Sequence, residues 1–180
     1  MDFQSQQHDE PTVPLSLIES AANGDRSALR EIYERTNSRV FRLMVRMVGR
    51  QDSEDLTQQA YVRAFEKLNQ FEGSARFETW LYRLATNEAL QHLRRERVRR
   101  TVPMEIDPVT HADKTIEQVE TAERLQSALH QLDPELRAII SLKEEGGLSY
   151  KQIADTMSIP EGTVGSRLNR ARRELGKLMK

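Results

Sequence analysis

An all-α fold of two small helical domains joined by a flexible linker is predicted by three observations. Apolar residues recur at helical spacing through most of the chain, no stretch alternates with the period of a strand, and residues 101–115, with two prolines and no helical period, divide the chain. A length of 180 residues with 37% hydrophobic and 31% charged residues suits a chain that buries two modest cores and is not disordered. The domains are expected at 15–100 and 116–180, preceded by a tail at 1–14.

The elements follow in order. A first helix over Leu15–Ala22 is closed by Asn23-Gly24. Asp25 or Ser27 then caps a longer helix reaching Arg46 and Val48, with a core stripe of Leu29, Ile32, Tyr33, Val40, Leu43, Met44 and Met47. Gly49 ends it, and Asp52-Ser53-Glu54-Asp55 offers an acidic, capping start to a third helix. That helix runs to about Leu68 and turns Leu56, Ala60, Tyr61, Ala64, Phe65 and Leu68 inward. After a loop punctuated by Gly73 and Ser74, a fourth helix over about 77–98 buries Phe77, Trp80, Leu81, Leu84 and Leu93. Beyond the linker, helices are predicted at about 116–132 and 134–144.

The segment 148–175 has helix-turn-helix spacing. Ile153 and Ala154 suit a close helix crossing, and Ser158-Ile159-Pro160-Glu161-Gly162 break the period. Val164, Leu168, Ala171 and Leu175 restart it as a packing stripe, from which Thr163, Ser166, Arg167, Asn169, Arg170 and Arg173 fall away. One face packs, and the other is polar, basic and free to enter a DNA groove.

Net charge is only −1, so the distribution carries the signal. Arg94, Arg95, Arg97, Arg99 and Arg100 oppose a single Glu96; Arg167, Arg170, Arg172, Arg173, Lys177 and Lys180 oppose a single Glu174. Between these patches the chain is acidic, with Glu105, Asp107, Asp113, Glu117, Glu120 and Glu123. Clustered cations release counterions from phosphate and supply affinity, while sequence choice needs neighbouring polar side chains. The fourth helix supplies them: Arg83, Asn87, Gln91 and then Arg94 or Arg95 share one face opposite the core stripe. The loop FEGSARF brings Arg76, small residues and aromatics to the same end, a mixture suited to unstacked bases on single-stranded DNA. Phe77 and Trp80 lie on the packing stripe and are expected in the core.

Other classes fit less well. Without cysteine there is no disulfide, thiolate metal site or thiol nucleophile, and His8, His92, His111 and His130 lack ligand spacing, so no metal or cofactor is expected. Glu54, Asp55, Glu144 and Glu145 sit at helix ends without a Gly-rich loop, metal motif or nucleophile, which argues against an enzyme. No apolar run approaches the roughly twenty residues that span a bilayer, and the start MDFQSQQHDEPTVP does not read as a signal peptide. No membrane insertion and a cytoplasmic location are expected. A stand-alone helix-turn-helix regulator would account for 148–175 but leave the rest without a task.

Three stretches, DSEDLTQQAYVRAFEKL, FEGSARFETWLYRLATNEALQHLRR and LDPELRAIISLKEEGGLSYKQIADTMSIPEGTVGSRLNRARREL, together cover much of the chain, and it resembles the bacterial extracytoplasmic-function sigma factors. The resemblance implies a sigma-two domain, a sigma-four domain, binding to the clamp and flap regions of core RNA polymerase, promoter DNA as ligand, and an anti-sigma partner. On the matching positions, Asp55, Leu56, Gln58 and Gln59 fall on the clamp-docking helix, with Gln59 where a glutamate is common. Asn87 falls on the pocket for a flipped minus-ten base, with Gln91 one turn on; Ser166, Asn169 and Arg170 face the minus-thirty-five duplex, and Arg167, Arg172 and Arg173 are its phosphate partners. The acidic linker corresponds to the family's connector near the polymerase active-site channel. Gly165 replaces the usual Lys or Arg, and Ser158 the usual turn glycine.

Overall fold

A computed structural model describes residues 13–99 and 116–180, and among these every regular element is helical. The expected linker and nearly all of the expected tail lie outside the described residues. In order, the helices are α1 (Leu15–Ala22), α2 (Arg26–Val48), α3 (Arg50–Glu66), α4 (Phe77–Arg99), α5 (Ile116–Gln131), α6 (Pro134–Glu144), α7 (Tyr150–Met157) and α8 (Glu161–Leu178), with a 3₁₀ turn at Leu68–Gln70. No helix among the described residues is long and apolar enough to cross a membrane.

Local chemistry explains most boundaries. Asp25 rather than Ser27 caps α2, its carboxylate accepting from the backbone N–H groups of Ser27 and Ala28. Asp133 caps α6 ahead of Pro134, and Ser149 with Gln152 forms a reciprocal capping box at α7. The start of α3 departs from expectation: it begins at Arg50 directly behind Gly49, and Ser53 lies inside the helix with its hydroxyl donated to the Arg50 carbonyl. Gly49 makes this abrupt join possible, since its φ is +85° and a Cβ there would stand 2.9 Å from His130 Cε1.

The first unit packs α2, α3 and α4 around Ile32, Val40, Leu43, Met44, Met47, Leu56, Ala60, Phe77 and Leu81. Tyr61 joins this core through a 2.7 Å hydrogen bond with Thr36 and an edge-on contact with Tyr33. Tyr33 itself is exposed, and Leu29, Phe65, Trp80, Leu84 and Leu93 are only partly buried. The second unit buries Leu136, Ile139, Leu142, Ile153, Val164, Leu168 and Ala171, so the α8 stripe packs as the sequence indicates.

The two units are not simply strung together, as the linker alone would imply. They share a polar and apolar seam in which α2 and α4 meet α5, α6 and α7. At its centre Arg137, 5% exposed, donates 2.6 Å bonds to the carbonyls of Met47 and His130 and a longer one to Leu132. Gln126 donates to the Val45 carbonyl at 2.6 Å, a second bond beside the one from the Gly49 N–H, so side chains of the second unit bond carbonyls at the C-terminal end of α2. Burial pulls the Arg137 guanidinium down to about 10, which leaves it charged at neutral pH. Around it, Glu145 pairs with Arg42 and Arg46, and Gln152 donates to the Thr79 hydroxyl at 3.1 Å.

The α7–α8 turn keeps its form without glycine. Ser158 adopts the left-handed conformation at φ 54° and ψ 46°, and Ile159 N–H reaches back to the Ala154 carbonyl. Because that conformation costs a side-chain-bearing residue more than glycine, Ser158→Gly should raise stability by about 0.5–1 kcal/mol in urea unfolding. A separate signature lies in the buried phenols. Burial pushes Tyr82 up to about 12 and drives Tyr61 upward as well, from an ordinary value of 10.0. A folded-state value raised above the unfolded one stabilises fully below pH 10 and is lost on the way up, so unfolding free energy should fall between pH 10 and about 12. Tyrosinate absorbance should then rise together with loss of helicity for these two residues.

Candidate nucleic-acid interface

Two exposed polar surfaces emerge from these helices. On α4, Arg83, Asn87, Gln91, Arg94 and Arg95 are all exposed, while Tyr82, Ala85, Thr86, Glu88, Ala89 and Leu90 between them are buried. The helix is flanked by α2 and α3 on one side and by α6 and α7 on the other, which leaves that strip as its free face. Sequence periodicity marked only the burial against the first unit; the contact with α6 and α7 carries no local signal.

The loop before α4 rests on an aromatic cluster. Phe71, Phe77 and Trp80 stand 5.5–5.6 Å apart, with Phe77 fully buried and the other two rings half-buried. Phe77 is therefore core, as its place on the packing stripe implies. The Arg76 carbonyl accepts from Thr79 and Trp80 N–H at the start of the helix, and the Arg76 side chain lines a polar crevice with Arg39, Tyr82 and Gln152. Glu78 holds the other flank, accepting from the Val13 N–H at 3.1 Å.

On α8, Ser166, Asn169, Arg170 and Arg173 are exposed, and Thr163 is half-buried with its carbonyl taking the Ser166 hydroxyl at 2.9 Å. Several of the arginines already have carboxylate partners. Arg167 reaches Glu135 of α6 at 2.8 Å, Arg170 pairs with Glu174 one turn on at 2.7 Å, and Arg172 bonds Glu144 at 2.9 Å. The Glu174 contact raises the Arg170 guanidinium further. Such exposed pairs are weak and readily exchanged for a phosphate. Arg173 makes no ion pair among the described residues. A Cβ at Gly165 would meet Tyr150 Cε2 at 3.5 Å, an ordinary van der Waals contact, so no clash requires glycine there.

The surface of α3 is divided. Asp55, Gln58 and Gln59 are exposed, Gln59 donating to Asp55 at 2.6 Å, whereas Leu56 is 3% exposed and belongs to the core. Leu56 thus lies on the inward stripe that its spacing indicates, and it seats the helix that carries the exposed polar residues. Sequence reasoning missed Val62, 56% exposed on the same helix, although its displacement from the apolar stripe was visible.

Comparison with known proteins agrees with this architecture. The Sigma-70 region 2 family model matches residues 32–99, and that of Sigma-70, region 4 matches residues 122–175. The ECF RNA polymerase sigma factor SigE of Mycolicibacterium smegmatis is 38% identical over 164 residues, covering 86% of this chain and 63% of its own length. The RNA polymerase sigma-H factor of Pseudomonas aeruginosa is 35% identical, covering 91% of this chain and 92% of that protein. The ECF RNA polymerase sigma-E factor of Escherichia coli K12 is 32% identical over 87% and 88% respectively. In fold, the chain is similar to CnrH in complex with the cytosolic domain of CnrY, at TM-score 0.69 and 24% identity over 91% of this chain and 95% of that one. It is likewise similar to the sigma factor RpoE bound to the anti-sigma factor NepR from Bartonella quintana, at TM-score 0.66 and 24% identity over 83% of this chain and 97% of that one. With both family regions in order on one helical chain, and the Pseudomonas aeruginosa and Escherichia coli relatives matched along about nine-tenths of their length, this protein belongs to the extracytoplasmic-function RNA polymerase sigma factors, non-enzymatic proteins that join core polymerase and direct it to promoters.

Proposed function

We propose that the chain divides its work between residues 15–100, which dock on the polymerase clamp and read the minus-ten element, and residues 116–180, which read the minus-thirty-five element. The observation that carries this reading is the strip Arg83, Asn87 and Gln91, exposed along a helix that is otherwise packed on both flanks. Asn87 is the base-reading residue and Gln91 its neighbour, their amides matching the donors and acceptors of an unpaired base. Arg76, Arg83, Arg94 and Arg95 hold the strand by its phosphates. Because unpairing and base capture occur at one place, the cost of melting is offset by contacts available only to the right base.

In the second unit Thr163, Ser166, Asn169 and Arg170 address the duplex, and Arg167, Arg172 and Arg173 its backbone. Asp55, Gln58 and Gln59 form the polar docking surface for polymerase. An anti-sigma partner is part of this reading, supported by the fold shared with two proteins solved as complexes, one of them a sigma factor with a named anti-sigma factor. The proposed site of action is the bacterial cytoplasm, where polymerase and promoter are found.

Polymerase reconstituted with the full chain should begin transcripts at a distinct set of positions, read by sequencing transcript starts; unchanged starts would defeat the reading. Asn87→Ala should relax preference at one minus-ten base without weakening polymerase binding, whereas an equal loss at every base would remove Asn87 from that role. Glu174→Gln should release Arg170 for DNA and tighten duplex binding, steepening its salt dependence by up to about one unit of slope.

A further inference from the structure

Helix α3 has two jobs in the proposed function's geometry: outward it presents Asp55, Gln58 and Gln59, and inward it packs on α4. The inward face is smooth. Ala60 and Ala64 of α3 and Ala85 and Ala89 of α4 are all fully buried, and such small side chains interlock less than large ones, so they set the fine rotation of α4 within its packed site only loosely. Two polar pairs cross the same interface. Arg63 Nη1 meets Glu88 Oε1 at 2.5 Å, and His92 Nε2 lies 3.2 Å from Asp52 Oδ2.

Glu88 is a costly choice for stability alone. Its side chain is 2% exposed, Oε2 has no hydrogen-bond partner, and its cation Arg63 is 45% exposed. A buried carboxylate paid for by one half-solvated arginine is often matched or bettered by an apolar residue of similar size. Its placement says more. Glu88 and His92 are one turn apart on α4, and each directly follows a residue of the exposed strip, Asn87 and Gln91. With side-chain tips about 5–6 Å from the helix axis, a rotation of about 10° moves a reading amide by about 1 Å. That is enough to break a hydrogen bond to a base.

We propose that Arg63–Glu88 and Asp52–His92 are positioning pairs that index the rotation of α4 on α3, so that the helix docked on polymerase aims Asn87 and Gln91 at the melted strand. In this arrangement the pairs act through the residues beside them, not by their own contact with DNA or polymerase. This proposal rests on the functional reading above.

The test compares Glu88→Met, Arg63→Met and the double variant as full chains with core polymerase. The readouts are thermal midpoint, affinity for core enzyme, the rate of promoter opening reported by 2-aminopurine in the minus-ten element, and base preference there. Glu88→Met is expected to keep its midpoint and core affinity while opening promoters about tenfold more slowly with broadened preference at the base read by Asn87. Arg63→Met should show the same loss, and the double variant no more than either alone, because all three remove one pair. Wild-type opening and preference in folded Glu88→Met or Arg63→Met overturn the proposal. Losses of core affinity and midpoint in step with opening also overturn it, since they mark a purely structural pair. Should Glu88→Met fail to fold, Arg63→Met removes the pair from its solvent side and decides the question. If the unmodified chain neither binds core enzyme nor changes transcript starts, the failure belongs to the functional reading instead.

Discussion

Burial of α4 on both flanks is the constraint on which the rest of the molecule depends. A helix packed on one side exposes a broad surface, and its polar residues are free to sample many rotamers and directions. Here α2 and α3 close one side while α6 and α7 close the other, so Arg83, Asn87 and Gln91 are left on a narrow ridge with a fixed backbone beneath them. The proposed recognition of an unpaired base needs such a platform, because a mobile amide gives away in ordering entropy much of what its hydrogen bonds provide.

The seam that completes this burial is polar at its heart. Arg137 donates to the Met47 carbonyl at the end of α2, and Gln126 adds a second bond to the Val45 carbonyl, which already accepts from the Gly49 N–H. Separation of the units would hydrate those carbonyls and the guanidinium alike, so the seam exchanges protein hydrogen bonds for water at modest net cost. Glu145 with Arg42 and Arg46 has the same character at the rim. A contact of this kind holds a definite arrangement without the irreversibility of a purely apolar interface.

Much of the fold was legible because its signals are local. The α8 stripe of Val164, Leu168 and Ala171, the α6 start at Asp133-Pro134 and the end of α2 at Gly49 each follow from a few adjacent residues. Legibility failed where partners are distant. The start of α3 was placed late because an acidic run resembles a cap, while the actual join relies on Gly49 lying under His130 from another part of the chain. Trp80 read as core from its place on the packing stripe, yet its ring is only partly buried beside Phe71 and Phe77. The site was legible to the same extent: the exposed residues of α4 and α8 came from periodicity, whereas the pairing of Arg167 with Glu135 and of Arg63 with Glu88 depends on which helices become neighbours.

The carboxylates that occupy Arg167, Arg170 and Arg172 have a kinetic corollary. A bare row of guanidinium groups would cling to any polyanion in the cell, and the search for rare sites would stall on the vast excess of irrelevant sequence. In the proposed duplex-reading role, a stray backbone exchanges Glu135, Glu174 and Glu144 for phosphate with little net gain, whereas a correct duplex adds contacts to its bases. On that reading residence on random DNA is shortened, and time is reserved for the few addresses that matter.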